Sequence, residues 1–267
     1  MGHLNINSIR YKFEWLKSIA DSNIDLLLIS ETKLNDSFPN CQFLMTGFHP
    51  PYRKDRTDKG GGLMFFIRED IPCREIMVTL EENIEAIFLE INLRKRKWLL
   101  IGSYNPEKSK ISSFLDCIEN KLDTLCLQYE NIVLIGDLNS EMREERMNRF
   151  CNTYYFKCLI KEPTCFKNID HPSCVDLILT NKSLCFQHTT VIETGLSDFH
   201  KLTVTMMKSK FQKLQPKIIN YRNYNFFSNE NFKIDLMHEI KRIEYKNIDC
   251  EQFENLFMRT LNYHAPQ

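Results

Sequence analysis

A layered α/β core built on a mixed sheet is the fold class this sequence predicts, and three observations predict it. Seven apolar or alternating runs read as strands: Leu26 to Ser30, Gly62 to Ile67, Ile84 to Leu93, Trp98 to Tyr104, Ile132 to Gly136, Val175 to Thr180 and Leu202 to Met206. Among them, Ile111, Phe114, Leu115, Ile118, Leu122 and Leu125 recur at spacings of three and four, one face of a helix. Hairpins and helical crossovers therefore alternate, which calls for a sheet with both parallel and antiparallel pairs.

Taken in order, the chain opens on a short strand beginning almost at Met1, so a further stretch upstream is expected. A brief helix should follow Ser8 with Phe13, Leu16 and Ile19 turned inward. Gly60-Gly61-Gly62 lacks the Lys-Ser/Thr of a phosphate loop and leads into a strand, so it reads as a close backbone approach. The runs around Arg94-Lys95-Arg96-Lys97 make those four cations a hairpin tip. In "NIVLIGDLNS" a buried strand stops at Gly136, which lets the backbone leave the sheet, and Asp137 and Asn139 follow. Two residues apart, they would face one spot at a strand edge where open α/β sheets bind ligands; a simple polar turn is the alternative. Past Lys208 the pattern changes. Gln215-Pro216-Lys217 reads as a linker before two amphipathic helices, one capped by Ser228 with Phe232, Leu236 and Ile240 on its face, the other marked by Phe253, Leu256, Phe257 and Leu261. Residues 1–208 thus form one α/β domain and 209–267 a linker and helical connector.

Bulk properties exclude several classes. With 35 basic and 35 acidic residues no global field attracts a polyanion, although Arg53 to Lys59, with Arg53, Lys54, Arg56 and Lys59 against two acids, and Arg94 to Lys97 are local basic patches. The longest apolar run, Ile24 to Ile29 with Asp25 inside it, is far short of the ~20 residues a membrane span needs, so no membrane partner is expected. No secretion signal is recognisable at the start. The ten cysteines include no Cys-x-x-Cys pair, and Cys158, Cys165, His171 and Cys174 fit no zinc spacing. A reducing compartment, nucleus or cytoplasm, follows as the expectation.

Polar residues punctuate the strand ends repeatedly: Asn5 and Asn7 on the first strand, Glu31 after "DLLLIS", Tyr104 closing "LLIGSY", Asp176 opening "VDLILTN", and Asp198 with His200 before the last strand. Carboxylates and amide carbonyls suit Mg²⁺, and His beside an acid suits proton handling, so the residues alone point to metal-assisted hydrolysis of a phosphate ester.

In this order "LNINSI", "ISET", "GSYNP", "IGDLN", "VDLILTN" and "LSDFHKL" resemble the endonuclease/exonuclease/phosphatase family with its DNase-I-like fold, and most of all the apurinic/apyrimidinic-endonuclease-like domain of non-LTR retrotransposons. The resemblance spans residues 3–208 and implies a four-layered α/β sandwich, two mixed sheets flanked by helices, with a short helical C-terminal extension. It implies that Glu31 is the main ligand of Mg²⁺, or of Mn²⁺ in its place, with Asn7 and Asp198 beside it. Asn5 and Tyr104 would bind the phosphate, Asp137 would orient or deprotonate the attacking water, Asn139 would fix the phosphate, and His200 supported by Asp176 would stabilise the developing charge. Thr164 and Ser197 match lesser family positions, and Arg53, Lys54, Arg94 and Arg96 would contact DNA phosphates. Two departures stand out: Asn7 replaces an aspartate of the repair enzymes, and Ser197-Asp198-Phe199-His200 is one residue longer than the family's Ser-Asp-His.

The activity so implied is Mg²⁺-dependent nicking of double-stranded DNA, leaving a 3′ hydroxyl for a reverse transcriptase in a longer parent protein, with no small-molecule cofactor. Its rivals are a repair-type abasic endonuclease, a small phosphoesterase, and a decayed fragment that binds nucleic acid without cutting.

Overall fold

The computed structural model describes residues 1–20, 24–81, 84–93, 96–107, 110–208, 221–242 and 249–266. The chain divides into two compact units, Met1–Leu214 and Gln215–Gln267. In chain order the first contains β1 (Gly2–Asn5), α1 (Phe13–Ala20), β2 (Leu26–Ser30), β3 (Tyr52–Lys54), β4 (Leu63–Ile67), β5 (Cys73–Glu75), β6 (Glu85–Leu93), β7 (Arg96–Tyr104), α2 (Ile111–Leu125), β8 (Asn131–Asp137), α3 (Glu145–Thr153), β9 (Lys157–Cys158), β10 (Asp176–Thr180), β11 (Phe186–Ile192) and β12 (Leu202–Met207). One six-stranded sheet has the order β11-β12-β1-β2-β4-β3 and the other β5-β6-β7-β8-β10-β9. Both are mixed: β1 and β2 run parallel, as do β7 and β8, and the neighbouring pairs are antiparallel.

Side-chain alternation produces the layers. Leu26 and Leu28 of β2 turn inward with Leu63 and Phe65 onto Leu89, Leu100, Val133 and Ile135 of the other sheet. Their neighbours Leu27 and Ile29 turn outward onto Phe13 and Leu16 of α1, with Phe66 beside them. On the far side, Leu99, Ile101, Ile132 and Leu134 meet Phe114, Leu115 and Ile118 of α2 and Phe150 of α3. The order is helix, sheet, sheet, helix, with three apolar seams. Truncating a fully buried Phe65 or Leu28 to Ala would cost about 2–5 kcal/mol.

Gly136 differs from its sequence reading. It does not release the chain from the sheet but lies inside β8, opposite Ser103 of β7. A Cβ there would stand 1.7 Å from the Ser103 carbonyl oxygen, so glycine lets β7 and β8 approach closely one residue before Asp137. Gly62 (φ 93°) supports the reading of its triplet, since an added Cβ would stand 2.3 Å from Thr32 Oγ1.

The second unit contains α4 (Asn229–Arg242) and α5 (Cys250–His264). Ser228 Oγ accepts from the Asn231 N–H at the start of α4, and Asp249 with Gln252 forms a capping box on α5. Phe232 packs edge-on against Phe257 with ring centroids 5.5 Å apart. No helix among the described residues is long and apolar enough to cross a membrane.

Candidate phosphate-ester active site

Strand register assembles the site. Tyr104, Asp137 and Asp176 end or begin β7, β8 and β10 and stand in one row, Tyr104 opposite Asp137 and Asp137 opposite Asp176. On the other sheet Asn5 ends β1 opposite Ser30, and Glu31 follows directly. The two rows meet through Asn5, whose Nδ2 donates to Asp137 Oδ2 at 2.9 Å and to Glu31 Oε1 at 3.1 Å. Tyr104 donates its hydroxyl to the same Glu31 oxygen at 2.8 Å.

On the Asp137 side, His200 Nδ1 lies 2.9 Å from Asp176 Oδ2 and its Nε2 lies 3.5 Å from Cys165 Sγ. Burial alone would lower the His200 pKa, but the Asp176 hydrogen bond, the Cys165 contact and the charges of Asp176 and Asp137 outweigh it and push it up to about 11. For Asp176 burial acts upward, yet the hydrogen bond and charge of His200, with His3 and Thr164 adding to them, keep it below the usual carboxylate range. Asp137 moves the other way. Burial and the charge of Asp176 outweigh His200, Asn5 and the Asn139 N–H and push its carboxyl up to about 7. Two acids at one site are thereby separated into an ionised partner for His200 and a carboxylate poised to exchange a proton near neutrality.

Glu31 belongs to a more open cluster. Lys33 Nζ hydrogen-bonds Asn7 Oδ1 and lies 3.6 Å from Glu31 Oε2, while Asn7 Nδ2 donates to Asp198 Oδ2 at 2.6 Å. Asn7, Ser8, Glu31 and Lys33 all have positive φ, between 49° and 80°. Two of these oxygens, Asn7 Oδ1 and Glu31 Oε2, converge on the Lys33 ammonium, and the Lys12 ammonium sits on the Asn7 backbone carbonyl at 3.2 Å; oxygen donors that gather cations in this way fit a hard divalent ion. Asp137, Asp176 and His200 also offer ligand atoms within 4.8 Å of one another, although Asp176 and His200 already bond each other.

The extra residue before His200 is absorbed locally. His200 bridges antiparallel to Cys165, with Phe166 N–H donating to the Phe199 carbonyl at 2.8 Å and Lys201 N–H to the Thr164 carbonyl at 2.9 Å. Phe199 is pushed out to 46% exposure, so Asp198 still reaches Asn7 while His200 still reaches Asp176. Ser197 Oγ accepts the His200 N–H at 3.3 Å, and Thr164 Oγ1 accepts the N–H groups of Val175 and Asp176.

Several expected placements differ. Asn7 lies beyond β1 and Asn139 beyond β8, each in a left-handed conformation (φ 49° and 47°), so two-residue alternation does not aim them. Asn139 gives its backbone N–H to Asp137 Oδ1 at 2.9 Å and turns its amide onto the Asn105 carbonyl at 2.8 Å. The Arg53 guanidinium is consumed by Asp55, Asn40 and the Phe38 carbonyl and packs over Phe43. Lys54 is half-buried beside it on β3. Arg96 stands eight residues before Tyr104 on β7, about 26 Å along the strand and at the opposite end of the sheet. Arg94 lies outside the described residues. Conversely, His3 and Lys33 belong to the site with no sequence expectation attached to them, and Cys165, weighed in the sequence only as a zinc ligand, lies against His200. For His3 the signal was its place two residues before Asn5, on the same strand face.

The sequence profile of the endonuclease/exonuclease/phosphatase family matches residues 2–198. The chain belongs to that family. It is a nuclease or phosphodiesterase of the DNase-I-like class, in which divalent-metal dependence is typical. The endonuclease domain of TRAS1, a telomere-specific non-LTR retrotransposon, superposes with TM-score 0.62 at 16% identity, covering 79% of this chain and 98% of that one. The catalytic domain of Xenopus laevis APE2 gives 0.64 at 17%, covering 80% and 93%. A 3′ phosphatase from Neisseria bound to a product DNA hairpin gives 0.62 at 11%, covering 78% and 98%. At these identities the shared property is the fold. No curated protein matches the sequence.

Proposed function

We propose that this member of the family is a divalent-metal-dependent DNA endonuclease that nicks duplex DNA as the target-site enzyme of a non-LTR retrotransposon. The observation carrying the reading is the continuous network from Glu31 through Asn5 to Asp137, beside the Asp176–His200 pair, where both sheets end. Asp137, with its raised pKa, accepts a proton from the attacking water. As the water oxygen bonds to phosphorus and the bond to the 3′ oxygen breaks, the His200 imidazolium and the Tyr104 hydroxyl offset the growing negative charge; the departing 3′ oxygen takes up a proton from solvent, leaving a 3′ hydroxyl and a 5′ phosphate. A Mg²⁺ or Mn²⁺ ion bound by Glu31, with Asn7 and Asp198 alongside, would supply Lewis-acid stabilisation of the phosphate. The TRAS1 domain supports the retrotransposon assignment by its fold, and ten free thiols suit a reducing, nuclear setting.

Nicking of supercoiled plasmid with Mg²⁺, beside EDTA and the Asp137→Ala variant, tests this. Relaxation that needs both metal and Asp137 is expected. A strong preference for a duplex with one abasic site over intact duplex would move the reading to a repair enzyme, and DNA binding without cutting would overturn it.

A further inference from the structure

His3 is wholly buried, and alternation along β1 gives it the same face as Asn5, toward the second sheet. Its Nε2 lies 3.0 Å from Ser30 Oγ and its Nδ1 3.5 Å from Asp176 Oδ1. Nδ1 and Oδ1 are both buried atoms without a hydrogen-bond partner, whereas the other Asp176 oxygen is taken by His200. Two orphaned atoms therefore face each other, about 0.5 Å beyond the usual N–H···O length.

Chemistry selects the tautomer. Burial keeps His3 neutral, with its pKa lowered to about 4 despite the attraction of Asp176, so the ring carries a single N–H. A carboxylate oxygen can only accept, whereas the Ser30 hydroxyl can donate. Placing the proton on Nδ1 satisfies both neighbours: Nδ1–H faces Asp176 and Nε2 accepts from Ser30. The opposite tautomer would set a lone pair against a buried carboxylate oxygen, at the cost of an unmade bond.

We propose that His3 is a positioning residue of the catalytic site: the Asp176 carboxylate is shared between two imidazoles, and His3 fixes its rotation so that Oδ2 stays on His200. This rests on the reading of the Asp176–His200 pair as part of the phosphodiesterase machinery. His3 touches no substrate, and its effect passes through the orientation of the His200 ring, where small misplacements cost rate.

Three substitutions separate this role from packing. An asparagine amide nitrogen can take the place of Nδ1, a glutamine amide nitrogen that of Nε2, and phenylalanine fills the volume with no donor. With folding checked by thermal unfolding, His3→Asn should keep plasmid-nicking kcat within a few-fold of wild type. His3→Gln and His3→Phe should lose about tenfold or more in kcat with KM unchanged. Equal rates in all three, or losses that merely follow Tm, would overturn the proposal. A second readout needs no activity: ¹⁵N–¹H correlation of the histidine rings, assigned by the signal missing from His3→Phe, should show His3 protonated at Nδ1. Protonation at Nε2 would overturn the proposal, whereas a wild type that shows Nδ1–H but never nicks would overturn only the endonuclease reading.

Discussion

The two halves of the site are built by different means. Asp137, Asp176 and Tyr104 sit within regular strands, buried, their relative positions dictated by ladder register. Glu31, Asn7 and Lys33 sit just past strand ends in left-handed conformations, with Glu31 and Lys33 side chains 23% and 24% exposed. The first arrangement resists movement because moving one residue means shifting a strand. The second is adjustable, since short turns and solvated charges can re-form around a cation. Proton transfer demands fixed distances, whereas a hard ion tolerates varied oxygen geometry, so the division matches the chemistry each half is asked to do.

The most severe way to break the contrast is Asp137→Ala. It should lower the nicking rate by about 10²–10⁴-fold at saturating metal, because no excess of Mg²⁺ replaces a general base. Glu31→Gln should behave differently: a loss in metal affinity of at least the roughly 10–100-fold that losing an outer-shell partner costs, read by titrating Mg²⁺ or Mn²⁺, with activity partly recovered at high metal. If Glu31→Gln were as refractory to metal as Asp137→Ala, the division would fail.

The pH–rate profile sharpens the buried half. Asp137 works only when ionised, so the rate should rise about tenfold per pH unit below about 7 and level above it. His200 is needed protonated, and the rate should fall only as pH approaches about 11. The charge of Asp176 raises both values, so Asp176→Asn should move both limbs to lower pH. The smallest expected effect lies in the open half. Lys33→Met removes an ammonium that competes for Asn7 and Glu31, and divalent-ion affinity should rise a few-fold, since such half-exposed pairs are worth about 1 kcal/mol or less.

How legible was all this in the sequence? The strand Leu26–Ser30 and the helix Ile111–Leu125 coincide with their sequence readings because burial enforces an uninterrupted apolar pattern. The short edge strands β3, β5 and β9 went unseen, since two or three residues carry no period. Helix α3 had its signal in Met147, Phe150 and Cys151, diluted by the polar residues of "ERMNRFCNT". Within the site, Asn5, Glu31, Tyr104, Asp137, Asp176 and His200 were named and are brought together. The aim of Asn7 and Asn139 was not legible, because a positive φ follows from local hydrogen bonding that no alternation rule contains. Nor was the fate of Arg53: a basic run announces charge, and only the fold shows that Asp55 and Phe43 have used it.

The Asn5 amide donates to one carboxylate from each sheet. That makes it a gauge block between two jaws: together with the Tyr104 hydroxyl on Glu31, the reach of this short side chain helps set the opening into which a phosphate must fit. Lengthening that spacer by one methylene, as in Asn5→Gln, would leave every hydrogen-bonding group in place and still spoil the fit. At this position size, more than polarity, is the property under constraint.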